Sequence, residues 1–296
     1  MPSLGLGLGL GRGSFIGSSG SGYTSTNTEV ATWYNTIVTN GGSVQNTGSS
    51  NNLKAVDTFV TSLKNNNAPN GNSLWSCISY CGLLCAVDDI QGITVPLQGA
   101  ITLTNNNFPS VASGGTNYDR LSGLTGDGST MYISSNLNDN QLPLPSNKHM
   151  YAYVANPTSG QVIGTRSSGA YSSISYSAVV NNAYSGTNAL SQSLANSFTI
   201  GGSSATGGVG WDANYYTPSV GTPEISWQGS TQGAGGITMA TSGLSTKFSI
   251  FAATTLSKFN GKIAFWSVGT SLRAAGSNNS TNLFDPYVAT LLASLT

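Results

Sequence analysis

His149-Met150-Tyr151-Ala152-Tyr153-Val154 and, far downstream, Lys262-Ile263-Ala264-Phe265-Trp266-Ser267-Val268 decide the fold. Both are short runs rich in aromatic and β-branched residues, and Gly, Ser and Asn dominate the chain around them. Runs of this kind read as strands. Working outward, the same signature recurs at Ala100–Leu103, Met131–Ser134, Gln161–Thr165, Ser173–Val180, Ser197–Ile200, Gly236–Ala240 and Lys247–Ala253. Short strands with turn residues between them predict a mainly β, antiparallel jelly-roll β-sandwich over residues 98–296. It closes with a C-terminal helix, whose start is the Asp285-Pro286 pair, Asp as cap and Pro at the first helical position. Tyr287, Val288, Leu291, Leu292 and Leu295 form that helix's packed side.

Upstream, residues 28–97 predict a helical segment. The first helix covers about 29–40, with Thr28 as cap and Val30, Trp33, Tyr34, Ile37 and Val38 at helical spacing before Gly41-Gly42 stops it. The second covers about 52–65, capped by Asn51 or Asn52, with Leu53, Val56, Phe59, Val60 and Leu63 facing inward. Residues 1–27 are a low-complexity arm. Its Leu4, Leu6, Leu8 and Leu10 alternate with glycine, so an extended conformation places every Leu on one face, which suits strand addition to a neighbour.

The composition narrows function. The 296 residues include only ten Lys/Arg, ten Asp/Glu and one His, yet 38% are hydrophobic. That is enough for a core, so the low charge does not signal disorder. A net charge of zero argues against nucleic acid as a partner, since phosphate neutralisation needs clustered Lys and Arg. No stretch reaches the roughly 18 apolar residues of a membrane span. The Leu/Gly run has no basic residues before it and too much glycine for a signal core, so synthesis and folding in a cytoplasm are expected.

The order of motifs carries a resemblance. Ala31-Thr32-Trp33-Tyr34-Asn35 leads to Leu53-Lys54-Ala55-Val56-Asp57-Thr58-Phe59-Val60, Leu74-Trp75-Ser76 and Val95-Pro96-Leu97. Gly123-Leu124-Thr125-Gly126-Asp127-Gly128-Ser129-Thr130-Met131-Tyr132 and Gly261–Gly269 follow. In this order the chain resembles tailed-phage and prophage virion proteins with a concanavalin A-like (laminin-G-like) jelly roll behind a helical N-terminal segment. The resemblance implies a non-enzymatic structural protein located in the virion. Head decoration, neck and tail fibre are the roles it offers, with other virion proteins and copies of itself as partners. The Leu/Gly arm departs from the pattern and is the expected docking element.

A retaining or inverting glycosidase needs two suitably spaced carboxyls. The only glutamates are Glu29, at a helix start, and Glu224, whose strand neighbours Ser226 and Gln228 are not acidic; Asp212 would have to come from another strand. His149 has no nucleophile-plus-acid company and reads as a strand-edge or turn residue. Cys77, Cys81 and Cys85 have spacing that puts them on one helix face, but no fourth ligand completes a tetrahedron, and they read as buried small side chains. No catalytic residue and no metal site is therefore assigned. Ca²⁺ is the one cofactor left open, through Asp88-Asp89 or Asp127-Gly128, and turn chemistry is the plainer reading of both pairs. The aromatic set Trp211, Tyr215, Tyr216 and Trp227 supports three readings: core, a subunit contact, or a grip on a host surface glycan.

Overall fold

The computed structural model describes residues 22–48, 50–109, 116–143, 147–167, 170–177, 183–189, 197–201, 207–214, 224–227, 230–233, 245–253, 258–272 and 281–296. Helix α1 (Thr28–Thr39) is followed by the clip β1 (Asn46–Thr47) and β2 (Ser50–Asn51), and then by helix α2 (Asn52–Asn65). A turn of helix α3 (Leu74–Cys77) runs into β3 (Ile78–Leu83), with short α4 (Ile90–Ile93) beyond. Next come β4 (Leu103–Asn106), β5 (Tyr118–Asp119), β6 (Gly123–Asp127), β7 (Tyr132–Asn138) and the long β8 (Asn147–Ser167). Strands β9 (Ala170–Ser177), β10 (Ala183–Ala189), β11 (Ser197–Gly201), β12 (Gly207–Asn214), β13 (Glu224–Trp227) and β14 (Ser230–Gly233) follow. Finally come β15 (Lys247–Ile250), β16 (Asn260–Gly269) and helix α5 (Asp285–Ser294).

The chain is mainly β and antiparallel, a jelly-roll sandwich with helices at both ends, as the strand runs predict. Its pivot is β8. The first half of β8 lies between β12 and β16, and its second half lies between β9 and β15. One long strand therefore joins four others into a single connected sheet. The sequence splits this strand in two, at His149–Val154 and Gln161–Thr165, because Pro157 to Gly160 looks like a turn. Instead the chain bends and continues. Asn156 takes φ 49° and Gly160 takes φ 101°, and the pairing with β16 and β9 shifts register on either side.

The run from His149 to Val154 lacks polar alternation because both of its faces are covered. On one side Phe248 of β15 meets Trp266 of β16, ring centroids 5.6 Å apart. On the other, Phe265 packs edge-on to Phe59 of α2 at 5.4 Å and against Phe284, just before α5. Met150, Tyr151, Ala152 and Val154 are all buried between these groups.

Both N-terminal helices form where their apolar stripes predict, with Val30, Trp33 and Ile37 of α1 and Leu53, Val56, Phe59, Val60 and Leu63 of α2 buried, but Val38, expected on the α1 stripe, faces solvent in the last turn. Asn51 caps α2, its side chain accepting from the Lys54 amide at 2.8 Å. The expected cap on α1 is corrected: Thr28 is the first helical residue and Asn27 precedes it, its amide group drawn away to Asp57. Asp285 is likewise helical rather than a cap, and it accepts the Tyr151 hydroxyl at 2.6 Å. Strand ends move by a few residues: β4 begins at Leu103, and β15 ends at Ile250. The expected strand at Gly236–Ala240 lies outside the described residues.

The helical reading of the cysteine stretch is also corrected. Ile78–Leu83 is a strand paired with β16, so Cys81 sits in a sheet and Cys85 in the turn beyond it. Four-residue spacing suits a helix face, but here tertiary pairing with β16 overrides it.

Candidate functional site

The arm meets the folded body at Asp57 of α2. This carboxylate lies on the apolar side of its helix, beside Val56 and Phe59, and is buried. It is satisfied by the residues that lead into α1. Tyr23 donates its hydroxyl at 2.6 Å, Thr26 its hydroxyl at 2.8 Å, and Asn27 its backbone and side-chain N–H at 3.1 and 3.0 Å. Ser25 adds its hydroxyl. Burial works against the charge, but these donors outweigh it and hold the carboxyl well below its usual range. The segment 23–27 is thus clamped to α2, and the root of the arm is fixed.

With a depressed folded-state pKa, Asp57 contributes stability that is present above the ordinary carboxylate pKa and lost as pH falls below it. Asp57→Ala strands several buried donors. It is expected to cost about 2–3 kcal/mol in urea unfolding and to open the 22–27 segment to limited proteolysis. Unchanged cleavage there would show that the clamp does not hold the root.

The arm leucines Leu4, Leu6, Leu8 and Leu10 lie outside the described residues, as do Tyr215 and Tyr216. The two tryptophans fall on adjacent strands. Trp211 of β12 is in register with Ile225 and with Met150, and Trp227 of β13 is in register with Val209. Positions 211 and 227 therefore share the register parity of Met150 and Ala152, which are buried core positions.

The same ladder answers a question that the sequence leaves open. Asp212 is the register partner of Glu224 on one side and of His149 on the other, so the three occupy one rung of the sheet. The rung is not an open carboxylate pair: Asp212 is fully buried and accepts from the Leu272 amide at 3.0 Å. His149 is interior, not at a strand edge, because β12 and β16 flank it on both sides. Its Nδ1 lies 2.7 Å from the Thr270 carbonyl and its Nε2 lies 3.2 Å from Ser267 Oγ. Burial pushes its pKa down to about 4.

The remaining reactive groups have structural partners too. Lys148 and Asp139 form an ion pair at 2.8 Å with side chains 0% and 1% exposed. Asp127 organises its turn by accepting from the amides of Ser129, Thr130 and Met131, and Gly128 takes φ 75°. Asp89 caps α4 through the Gly92 amide and accepts from the Ser43 amide. Burial raises the pKa of all three cysteine thiols. Among the described residues no group of three or more His, Cys, Asp or Glu is arranged to hold a metal ion, and no helix is long and apolar enough to cross a membrane.

No protein-family model matches the chain, and no curated protein matches it. Among solved structures it is similar to a Trypanosoma rangeli sialidase in complex with 2,3-difluorosialic acid, at 12% identity and TM-score 0.46. That match covers 82% of this chain and 38% of the sialidase, so the chain spans well under half of that enzyme. It is also similar to domain 4 of a Geobacillus stearothermophilus GH43 extracellular arabinanase, in complex with arabinotriose, at 12% identity and TM-score 0.39, covering 66% of this chain and 93% of that domain. A Shewanella oneidensis protein of unknown function matches at 14% identity and TM-score 0.35, with 68% and 92% covered. Likeness this distant carries no argument about activity.

The Asp57 clamp and the Lys148–Asp139 pair escape a reading by motif. One signal for the clamp was present: an aspartate on the apolar stripe of α2 needs donors, and the polar run Tyr23 to Asn27 is a source of them. The ion pair left no such trace, since Lys148 and Asp139 meet through tertiary structure alone.

Proposed function

We propose that the protein is a non-enzymatic structural component of a tailed-phage virion, joined to other virion proteins and to copies of itself through its N-terminal arm. The observation that carries this reading is the clamp at Asp57. It fixes the arm's root to a packed helix, so force or binding energy applied to the arm is transmitted to a rigid block. Supporting it, Asp57, Asp89, Asp127, Asp139, Asp212, His149 and the three cysteines are engaged in clamp, capping, turn, ion-pair or core roles. The phage context rests on the ordered packing and turn motifs of the sequence. With so little charge, assembly would draw on apolar burial and strand pairing and would depend only weakly on salt.

Glycan binding through Trp211 and Trp227, on adjacent strands, is the second reading, and the parity these positions share with buried Met150 and Ala152 weighs against it. Depolymerase activity is the third; it would use the Asp212–Glu224 rung, and the burial of Asp212 weighs against it.

Deletion of residues 1–22 tests the assembly reading, because it removes the arm and leaves the clamp residues in place. The expected result is a protein with an unchanged far-UV spectrum and cooperative melt that no longer enters particles. Polysaccharide cleavage by the intact protein, lost in Glu224→Gln, would contradict the non-enzymatic part.

A further inference from the structure

A small cavity of about 180 Å³ is lined by none of the arm-root residues and by neither of Trp211 and Trp227. It is lined by Ser122, Tyr153, Asn156, Lys262, Ala264 and Leu292, among others. Its floor is apolar, with Ala264 from β16 and Leu292 from α5, and its polar side chains are the Lys262 ammonium, the Tyr153 and Ser122 hydroxyls and the Asn156 amide.

The Lys262 ammonium donates to Ser122 Oγ at 2.6 Å, and this is its sole hydrogen bond to the described residues. Its charge also acts on the Asp119 carboxylate beyond Ser122, and two of its N–H donors remain for a ligand. Tyr153 lines the same space, and its hydroxyl makes no hydrogen bond to the described residues. Burial, with the Asp285 charge second, raises its pKa, so it stays a donor.

The site is held in place by its surroundings. Ser122 gives its own proton to Asp119 Oδ2 at 2.5 Å, and the Leu121 amide donates to Asp119 Oδ1 at 3.0 Å, so the turn carrying Ser122 is fixed. Gly123 follows with φ 115°, and a Cβ there would overlap the Ile263 carbonyl; only glycine lets this turn approach β16 so closely. Register shifts on β16 flank Lys262 on both sides, between Asn260 and Lys262 and between Ile263 and Phe265. Bulges of this kind re-aim side chains and cluster at functional sites. Asn156, at φ 49°, also lines the cavity.

We propose that this cavity binds a small carboxylate on a single sugar-sized ring, with Lys262 and Tyr153 holding the carboxylate and the apolar floor carrying the ring. Lys262 is the one cationic side chain lining the cavity, and its two remaining N–H donors favour an anionic oxygen ligand over a neutral one. The volume, below the 300–1,000 Å³ typical of drug-sized ligands, limits it to about one ring. The proposal is independent of the arm's role in assembly.

Titration calorimetry of the full chain with glucuronate, with glucose as the uncharged control, tests it. Saturable binding of glucuronate and none of glucose is expected. Lys262→Met should weaken glucuronate binding about tenfold or more, and Tyr153→Phe by a smaller factor, each with unchanged melting. If Lys262→Met does not fold, Tyr153→Phe alone decides, since it removes only a hydroxyl. Absence of glucuronate binding, equal binding of glucose, or full affinity in both variants would overturn the assignment.

Discussion

Asp139→Ala is expected to destabilise the protein by about 3–5 kcal/mol, because it leaves Lys148 charged and uncompensated inside the sandwich. The pair is fully enclosed, with Nζ and Oδ1 2.8 Å apart. Burial pulls the Lys148 pKa down, and the charge of Asp139 and its hydrogen bond oppose that. Removing Asp139 removes the opposing effect and keeps the burial. The double replacement Asp139→Ala with Lys148→Met takes both charges out of the interior and should recover most of the loss, since a buried pair often contributes little net stability. Urea unfolding of the two variants checks this. A double variant as unstable as Asp139→Ala would mean that the cost lies in packing around residue 139 and not in the stranded charge.

The second large effect is a loss of stability between pH 6.5 and pH 4, traced to one residue. His149 is the only histidine in the chain. Its folded-state pKa is pushed from 6.5 down to about 4 by burial, with the Thr270 carbonyl acting in the opposite sense. The unfolded chain takes up a proton near pH 6.5 while the folded chain refuses it until about pH 4. Stability contributed by neutral His149 is therefore complete above pH 6.5 and declines as pH falls through this window. A shift of this size corresponds to roughly 3 kcal/mol. Glu29, Asp57, Asp119 and Asp127, whose folded-state values are depressed, begin to lose their contributions as pH falls through about 5, so the native chain is compared with His149→Gln to separate the share of the imidazole. Unfolding free energies at pH 7 and pH 4.2 should differ by most of that amount in the native chain. They should differ far less in His149→Gln. An equal pH dependence in both proteins would place the titrating group elsewhere.

Local pattern revealed much of the architecture. Apolar runs such as Met150 to Val154 and Ile263 to Val268 are strands because tertiary cover on both faces suits β-branched and aromatic side chains, and composition displays that directly. The helical stripes of α1 and α2 are just as visible. Pairing was hidden. Nothing near Cys77 to Cys85 announces that Ile78–Leu83 lies beside β16, which is remote in sequence. Nothing around Pro157 tells a bend from a turn, since the deciding factor is whether β9 and β15 offer partners to the continuing strand.

The functional residues divide in the same way. Asp212 and Glu224 became neighbours only when register was known, and burial then told against open chemistry. His149 looked peripheral because its neighbours Lys148 and Asn147 are polar, yet the strands on either side enclose it. The Lys262 cavity depends on two bulges and a turn, and none of these has a sequence period. By contrast, the Leu/Gly arm was plain from alternation alone, and the structure adds to it a clamped root.

The particle content of a Leu4→Ser, Leu6→Ser, Leu8→Ser, Leu10→Ser variant, made alongside the other virion proteins, tests the assembly role most directly. These changes keep the arm's length, its glycines and the Asp57 clamp, and remove only the apolar face. The expected result is a folded protein found in particles at background level, with the native chain at full stoichiometry. Native stoichiometry for the variant would contradict docking through the arm.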